Sequence, residues 1–267
     1  MEKIILKITC YTFLMLFTSI CLVSAQDAGE RIKILSYNIH HCNPPSKPDF
    51  IDVAAIAKVI KTSEADLVAL QEVDVYTERS GTDLHQAKEL AASTGMFYYF
   101  VKTIDHQGGD YGIAILSKFP IIDSASYKLP FKEGTNGEQR GVAAVTVQLT
   151  TGNKIKFICT HLDFTKGNAL VQAAEINRLF QKEELPVILC GDFNAIPTSE
   201  ALLEFQKVFT NSCRDQCGYT VPQINPRRTI DYILFDKKDQ IGVQSHSVIS
   251  ETYASDHLPV LAELIIK

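Results

Sequence analysis

After residue 30, most of the chain is built from short apolar runs, each bounded by polar or turn-forming residues. "IKILSYNI" and "DLVALQEV" read as buried strands, and between them Val53, Ile56, Ala57 and Ile60 recur at helical spacing. "GIAILSKFP", "GVAAVTVQL" and "KIKFICTHL" predict further strands, with "TTGN" between the last two as a hairpin signal. A helix follows, carrying Leu170, Ala173, Ile176 and Phe180 on one face, and "LPVILCGD", "TIDYILF" and "PVLAELII" complete the set. "MFYYF" at 96–100 reads as a core strand rather than an exposed aromatic hairpin for membrane insertion. So many strands with so few helices predict two packed sheets with helices outside. No repeat, low-complexity tract or linker divides residues 30–267, so one domain over 26–267 is expected.

The first 25 residues follow another pattern. Lys3 and Lys7 precede an apolar stretch from Ile8 to Val23, and Val23 and Ala25 stand where a signal peptidase needs small residues. This predicts a secretory signal over 1–25, cleaved after Ala25, with export to the periplasm or the exterior and no stable membrane anchor. The composition of the full chain, 46% hydrophobic and 21% charged, is that of a folded globular protein. The net charge of −5 becomes one unit more negative once Glu2, Lys3 and Lys7 leave, and no basic run remains. High-affinity nonspecific binding to nucleic acid is therefore not indicated. An enzyme that only cleaves a polyanion needs no such affinity. Cys10 and Cys21 fall in the signal. Of the rest, Cys159 and Cys190 lie in apolar runs as small hydrophobes, Cys213 and Cys217 are expected to pair, and Cys42 is left single.

The ends of the apolar runs carry the chemistry. "IKILSYN" ends at Asn38, "DLVALQE" at Glu72, "KIKFICTH" at His161, and "PVILCGDFN" at Asp192 and Asn194. Asp231 stands in "TIDYILF", and "SDHLPV" sets Asp256 beside His257. Each has an ordinary structural reading: a cap, a turn, a surface acid, or for Asp231 a pairing with Arg227 or Arg228. Repetition at successive run ends makes a joint coincidence a poor explanation. Metal-assisted phosphoryl chemistry needs this kind of set: hard oxygen ligands for Mg²⁺ or Mn²⁺, a carboxylate to orient water, and donors for phosphate oxygens.

In order, "YNIHH", "QEVD", "YGIAILSKFP", "THLD", "GDFNA", "TIDYIL" and "SDHLPV" resemble the endonuclease/exonuclease/phosphatase superfamily, from Arg31 to Ile266. The resemblance implies an α/β (α+β) fold, a four-layer α/β/β/α sandwich of two packed mixed β-sheets with outer helices. It implies Glu72 as the main ligand of Mg²⁺ or Mn²⁺, with Asn38 and Asp256 close to the ion or its waters. It assigns Asp192 to orient or deprotonate the attacking water, Asn194 to hold water or a phosphate oxygen, and His257 to the scissile phosphate, oriented by Asp231. His161 would donate to a non-bridging or leaving oxygen as charge develops there, tuned by Asp163 on the same strand face. At position 113 the family's frequent Asn is Ile, so a polar role is lost there. Tyr111 either bonds a phosphate oxygen or packs; Arg140 either contacts phosphate or makes a surface salt bridge; Arg79 is a weaker candidate of the same kind. The implied activity is hydrolysis of a phosphate ester, small or lipid-type. Sequence-nonspecific cleavage of nucleic acid is the alternative, and a non-catalytic binder on the same fold a further one.

Overall fold

The computed structural model describes residues 29–267 apart from Lys166 and Gln216. The segment read as an export signal lies outside the described residues. In chain order the elements are β1 (Glu30–Asn38), α1 (Val53–Ser63), β2 (Leu67–Val75), α2 (Gln86–Thr94), β3 (Phe97–His106), β4 (Gly109–Ser117), β5 (Ile121–Lys128) and β6 (Gly141–Gln148). They continue as β7 (Lys154–His161), α3 (Asn168–Phe180), β8 (Val187–Asp192), α4 (Glu200–Phe205), β9 (Phe209–Asn211), β10 (Asp231–Asp236), β11 (Ile241–Val248) and β12 (Val260–Ile266).

The strands form two six-stranded mixed sheets, ordered β11-β12-β1-β2-β4-β3 and β5-β6-β7-β8-β10-β9. In each, one parallel pair, β1/β2 or β7/β8, sits among antiparallel neighbours. A parallel pair needs a long crossover, and α1 and α3 supply the two. Asp52 starts α1 by accepting from the Ala55 N–H, and Glu64 ends it in the left-handed region at φ 56°. The two sheets thus share one plan, although no sequence repeat announces it.

Alternation along β1 explains its continuous apolar run. Ile32 and Ile34 face the second sheet, whereas Leu35 and Tyr37 face the outer layer of α1 and α2. In the second sheet, Phe157, Cys159, Ile188, Cys190 and Ile233 fill the space between the sheets. Ile158, Leu189 and Leu234 pack outward against α3 and α4. The result is the four-layer α/β/β/α sandwich expected. One strand expectation needs correction. "MFYYF" opens β3, but β3 is a sheet edge paired only with β4, and Phe97 is 53% exposed. Met96 just before it and Phe100 reach the outer core, and Tyr99 and Val101 reach the core between the sheets.

Candidate active site

The same alternation places the site. Asn38 follows Ile32 and Ile34 at even spacing, His161 follows Phe157 and Cys159, and Asp192 follows Ile188 and Cys190. Asp231 precedes Ile233 in the same way. Side chains of equal parity share a face, so all four polar groups fall between the sheets, at one end of the strands. Glu72 has the wrong parity and arrives by another device. A β-bulge between Gln71 and Val73 makes it the extra residue, at φ 58°. Its Oε1 then accepts from Asn38 Nδ2 at 2.9 Å.

Asn38 is the joint between the sheets. Its Nδ2 donates to Glu72 and also to Asp192 Oδ2 at 3.1 Å, while its Oδ1 accepts the His40 N–H. The Ser255 hydroxyl donates to the Asn38 carbonyl at 2.7 Å and so ties the Asp256–His257 loop to the end of β1. The register of β10 against β8 pairs Asp231 with Asp192. His257 Nδ1 lies 3.1 and 3.0 Å from the two Asp231 oxygens, and its Nε2 lies 3.7 Å from Asp192 Oδ2.

These neighbours set the charges. Burial first, and then the Asp231 charge, push Asp192 up to about 7. Burial works against the His257 cation, but the charge and hydrogen bond of Asp231 outweigh it and lift His257 to about 10. His161 goes the other way: burial, then the Arg140 and His257 charges, hold it well below the usual range. Arg140 Nη1 donates to His161 Nδ1 at 2.9 Å. A guanidinium has no lone pair to offer, so Nδ1 must accept, and the neutral ring carries its proton on Nε2. That nitrogen lies 3.4 Å from Asp192 Oδ2, an acceptor, and 3.0 Å from Asn194 Nδ2, itself a donor, with which it forms no hydrogen bond in this tautomer.

Asn194 combines a turn with a site. At φ 48° its N–H donates to Asp192 Oδ1 at 2.8 Å, and its amide bonds the Leu162 carbonyl. Arg140 is not a surface residue: it is 4% exposed, held by Glu138 at 3.0 Å, and its Nε has no partner among the described residues. Tyr111 is buried beneath Arg79, whose guanidinium carbon lies 5.5 Å from the ring centre. Asp163 differs from the expectation. β7 stops at His161, and the Asp163 carboxylate takes Asn168 Nδ2 and the Thr165 N–H instead of touching the histidine. Gly137 passes so close that a Cβ there would meet Asp163 Oδ2 at 1.8 Å, so Asp163 anchors a loop.

The sequence reading missed Asp74. Fully buried, it takes Arg79 through two bonds of 2.7 and 2.9 Å and also accepts from Thr77 and Ser80. Burial pulls its acid form upward, but those donors win and hold it below the ordinary carboxylate range. No run end marks it; its signals are its place in "QEVD" and an arginine five residues later.

The donor set fits a hard divalent cation. Glu72 and Asp256 are half-buried, and neither forms an ion pair among the described residues. Two carboxylates left uncompensated at the joint, with the Asn38 amide between Glu72 and Asp192, are the oxygen-rich surroundings such an ion takes. Asp192, Asp231 and His257 also converge within 4.8 Å. There, however, the imidazole Nδ1 is occupied by Asp231.

The family model described as Endonuclease/Exonuclease/phosphatase family matches residues 35–257. The chain belongs to that family. It is 24% identical over 245 residues to nocturnin of Xenopus laevis, covering 78% of this chain and 62% of that protein. It is 28% identical over 197 residues to the inositol phosphosphingolipids phospholipase C of Schizosaccharomyces pombe, covering 66% of this chain and 44% of that one. The chain therefore spans about three-fifths or less of the length of these curated relatives. A solved family structure from Bacteroides vulgatus superposes with a TM-score of 0.73 at 22% identity, over 89% of this chain and 100% of that one. This last likeness shows the shared fold.

Proposed function

We propose that the chain is an exported, divalent-metal-dependent phosphoesterase that hydrolyses a small or lipid-type phosphate ester by attack of water. The observation that carries this reading is the meeting of Asp192, pushed up to about 7, with an imidazole clamped by Asp231, across the gap between the sheets. A carboxylate with that affinity for protons takes one from water near neutral pH. His257, held as a cation by Asp231, donates from Nε2 to a non-bridging phosphate oxygen. As the bond from phosphorus to the alcohol oxygen breaks, His161, with its proton on Nε2, donates to a non-bridging or the leaving oxygen, and the buried Arg140 stabilises charge as it develops. Asn194 positions the water or a phosphate oxygen beside Asp192. Glu72 and Asp256, with Asn38 between Glu72 and Asp192, would hold Mg²⁺ or Mn²⁺, which when bound neutralises negative charge on the phosphate.

Three features support export and a non-nucleic-acid substrate. The charged, apolar, small-residue order at the amino terminus is that of a cleaved signal. Cys213 and Cys217 are bonded, which suits an oxidising compartment. The net negative charge without basic runs gives duplex DNA no electrostatic track. The name of the Schizosaccharomyces pombe relative, a phospholipase C of inositol phosphosphingolipids, favours lipid-type phosphodiesters within this class. The test is a panel on purified residues 26–267: chromogenic mono- and diesters, sphingomyelin, phosphoinositides, RNA and plasmid, each with Mg²⁺, Mn²⁺ or EDTA. Small or lipid-type esters should turn over, and EDTA should stop it. Plasmid preferred by orders of magnitude at physiological salt would reverse the substrate reading.

A further inference from the structure

A cavity of about 800 Å³ opens beside the catalytic strands, lined by Ile196, Asp215, Tyr219, Arg227, Arg228 and Thr229 among others. Both of its walls grow from catalytic residues. Ile196 lies two residues after Asn194, and Thr229 two before Asp231, so at an extended rise of about 3.3 Å per residue the cavity begins about 7 Å from the Asp231 backbone. The loop over it is tied to the catalytic loop: the Leu258 N–H donates to the Thr220 carbonyl, and the Gln223 N–H to the Asp256 carbonyl. Arg227 and Arg228 are exposed, and among the described residues neither guanidinium has a hydrogen-bond or ion-pair partner, Asp215 on the rim included. Tyr219, 55% exposed, and Ile196 add an apolar wall. The alternative pairing of Asp231 with one of these arginines is not formed among the described residues, because Asp231 is turned inward on His257, as the resemblance implies.

We propose that this cavity receives the alcohol portion of the substrate and that Arg227 and Arg228 read a second phosphate group on it. The apolar wall covers the body of that alcohol, and the two forked cations hold the phosphate through charge-assisted hydrogen bonds. The substrate class is thereby narrowed to phosphate esters of alcohols that carry another phosphate. This deepens the phosphoesterase reading and rests on it for the reaction.

Matched pairs test it: a hexose bisphosphate against its monophosphate, and a nucleoside bisphosphate against its monophosphate, so that the two sources of such alcohols are told apart. In the native protein with Mn²⁺, kcat/KM should favour one or both bisphosphates by at least about tenfold. In the Arg227→Gln, Arg228→Gln double variant that preference should vanish through KM, with melting unchanged because both side chains are exposed. In parallel, calorimetry on Asp192→Asn protein measures binding of each compound without turnover. Monophosphates turned over with no preference for bisphosphates would overturn the cavity assignment and leave the phosphoesterase reading intact. Arginine-dependent binding of a bisphosphate, with no ester hydrolysed by the native protein, would do the reverse.

Discussion

Replacing Asp231 with Asn keeps the shape beside His257 and removes its nearest negative charge. Burial favours the neutral imidazole, yet Asp231, and after it Asp192 and Asp256, lift His257 from 6.5 to about 10. A histidine with a raised folded pKa contributes stability that is complete below its unfolded pKa and is lost as pH climbs through the folded one. The native protein should therefore lose His257's contribution between pH ~6.5 and about 10. Asp192 changes charge below this range, near 7, and the buried Cys42, Cys159 and Cys190 resist ionisation in both proteins. Their effects cancel in the difference between native and variant above pH ~7.5. Each pH unit in which the native state keeps a proton that the unfolded chain has lost is worth about 1.4 kcal/mol. Over roughly 2.5 units the advantage of the native protein over Asp231→Asn should shrink by about 2–3 kcal/mol. It should start from about 3–5 kcal/mol near neutrality, the usual cost of breaking a buried pair. Urea unfolding in EDTA, extrapolated linearly at each pH, measures it. A difference flat to within about 0.5 kcal/mol across that range would show that Asp231 does not hold a proton on His257.

Other outcomes follow from the same geometry. Asp192→Asn should lower turnover at least ~10²-fold with melting preserved, and His257→Ala, assayed well below its lowered melting temperature because it breaks the buried pair with Asp231, should do the same. Because the two side chains act on one step, the double variant should lose less than the product of the single losses; multiplicative losses would separate their roles. Thiol titration of unfolded, unreduced protein should find three free thiols, those of Cys42, Cys159 and Cys190, and five would mean that Cys213 and Cys217 are open. Mass spectrometry of protein from its own host should find a start near Gln26, and a soluble form beginning at Met1 would refute export.

Much of the site was legible because strand alternation does the positioning. Asn38, His161, Asp192 and Asp231 share parity with the inter-sheet apolar residues of their own strands, so a run that ends in a polar residue of that parity points into the gap. Glu72 was marked as a run end, but parity would have turned it away from the gap, and a bulge corrects it. Asp163 was misplaced for the complementary reason: alternation was extended past the end of β7, where the chain turns. Arg140 gave no sign of its burial, which comes from packing against His161, 21 residues along the chain. Among the elements, β5, β9, β11, α2 and α4 escaped notice. β5 and β11 are edge strands with one face toward solvent, so their apolar signal is diluted, while β9 and α4 are three and six residues long.

In the proposed reaction, ester hydrolysis at this joint depends on a divalent cation held by Glu72. Initial rates on the best ester, followed while Mn²⁺ is titrated into EDTA-stripped native protein and into Glu72→Gln, test it most directly. The stripped protein should show no turnover, the native enzyme should recover saturably, and the variant should stay at least ~10²-fold slower or recover only at far higher metal. Full activity in EDTA, or a variant that follows the native titration curve, would contradict it.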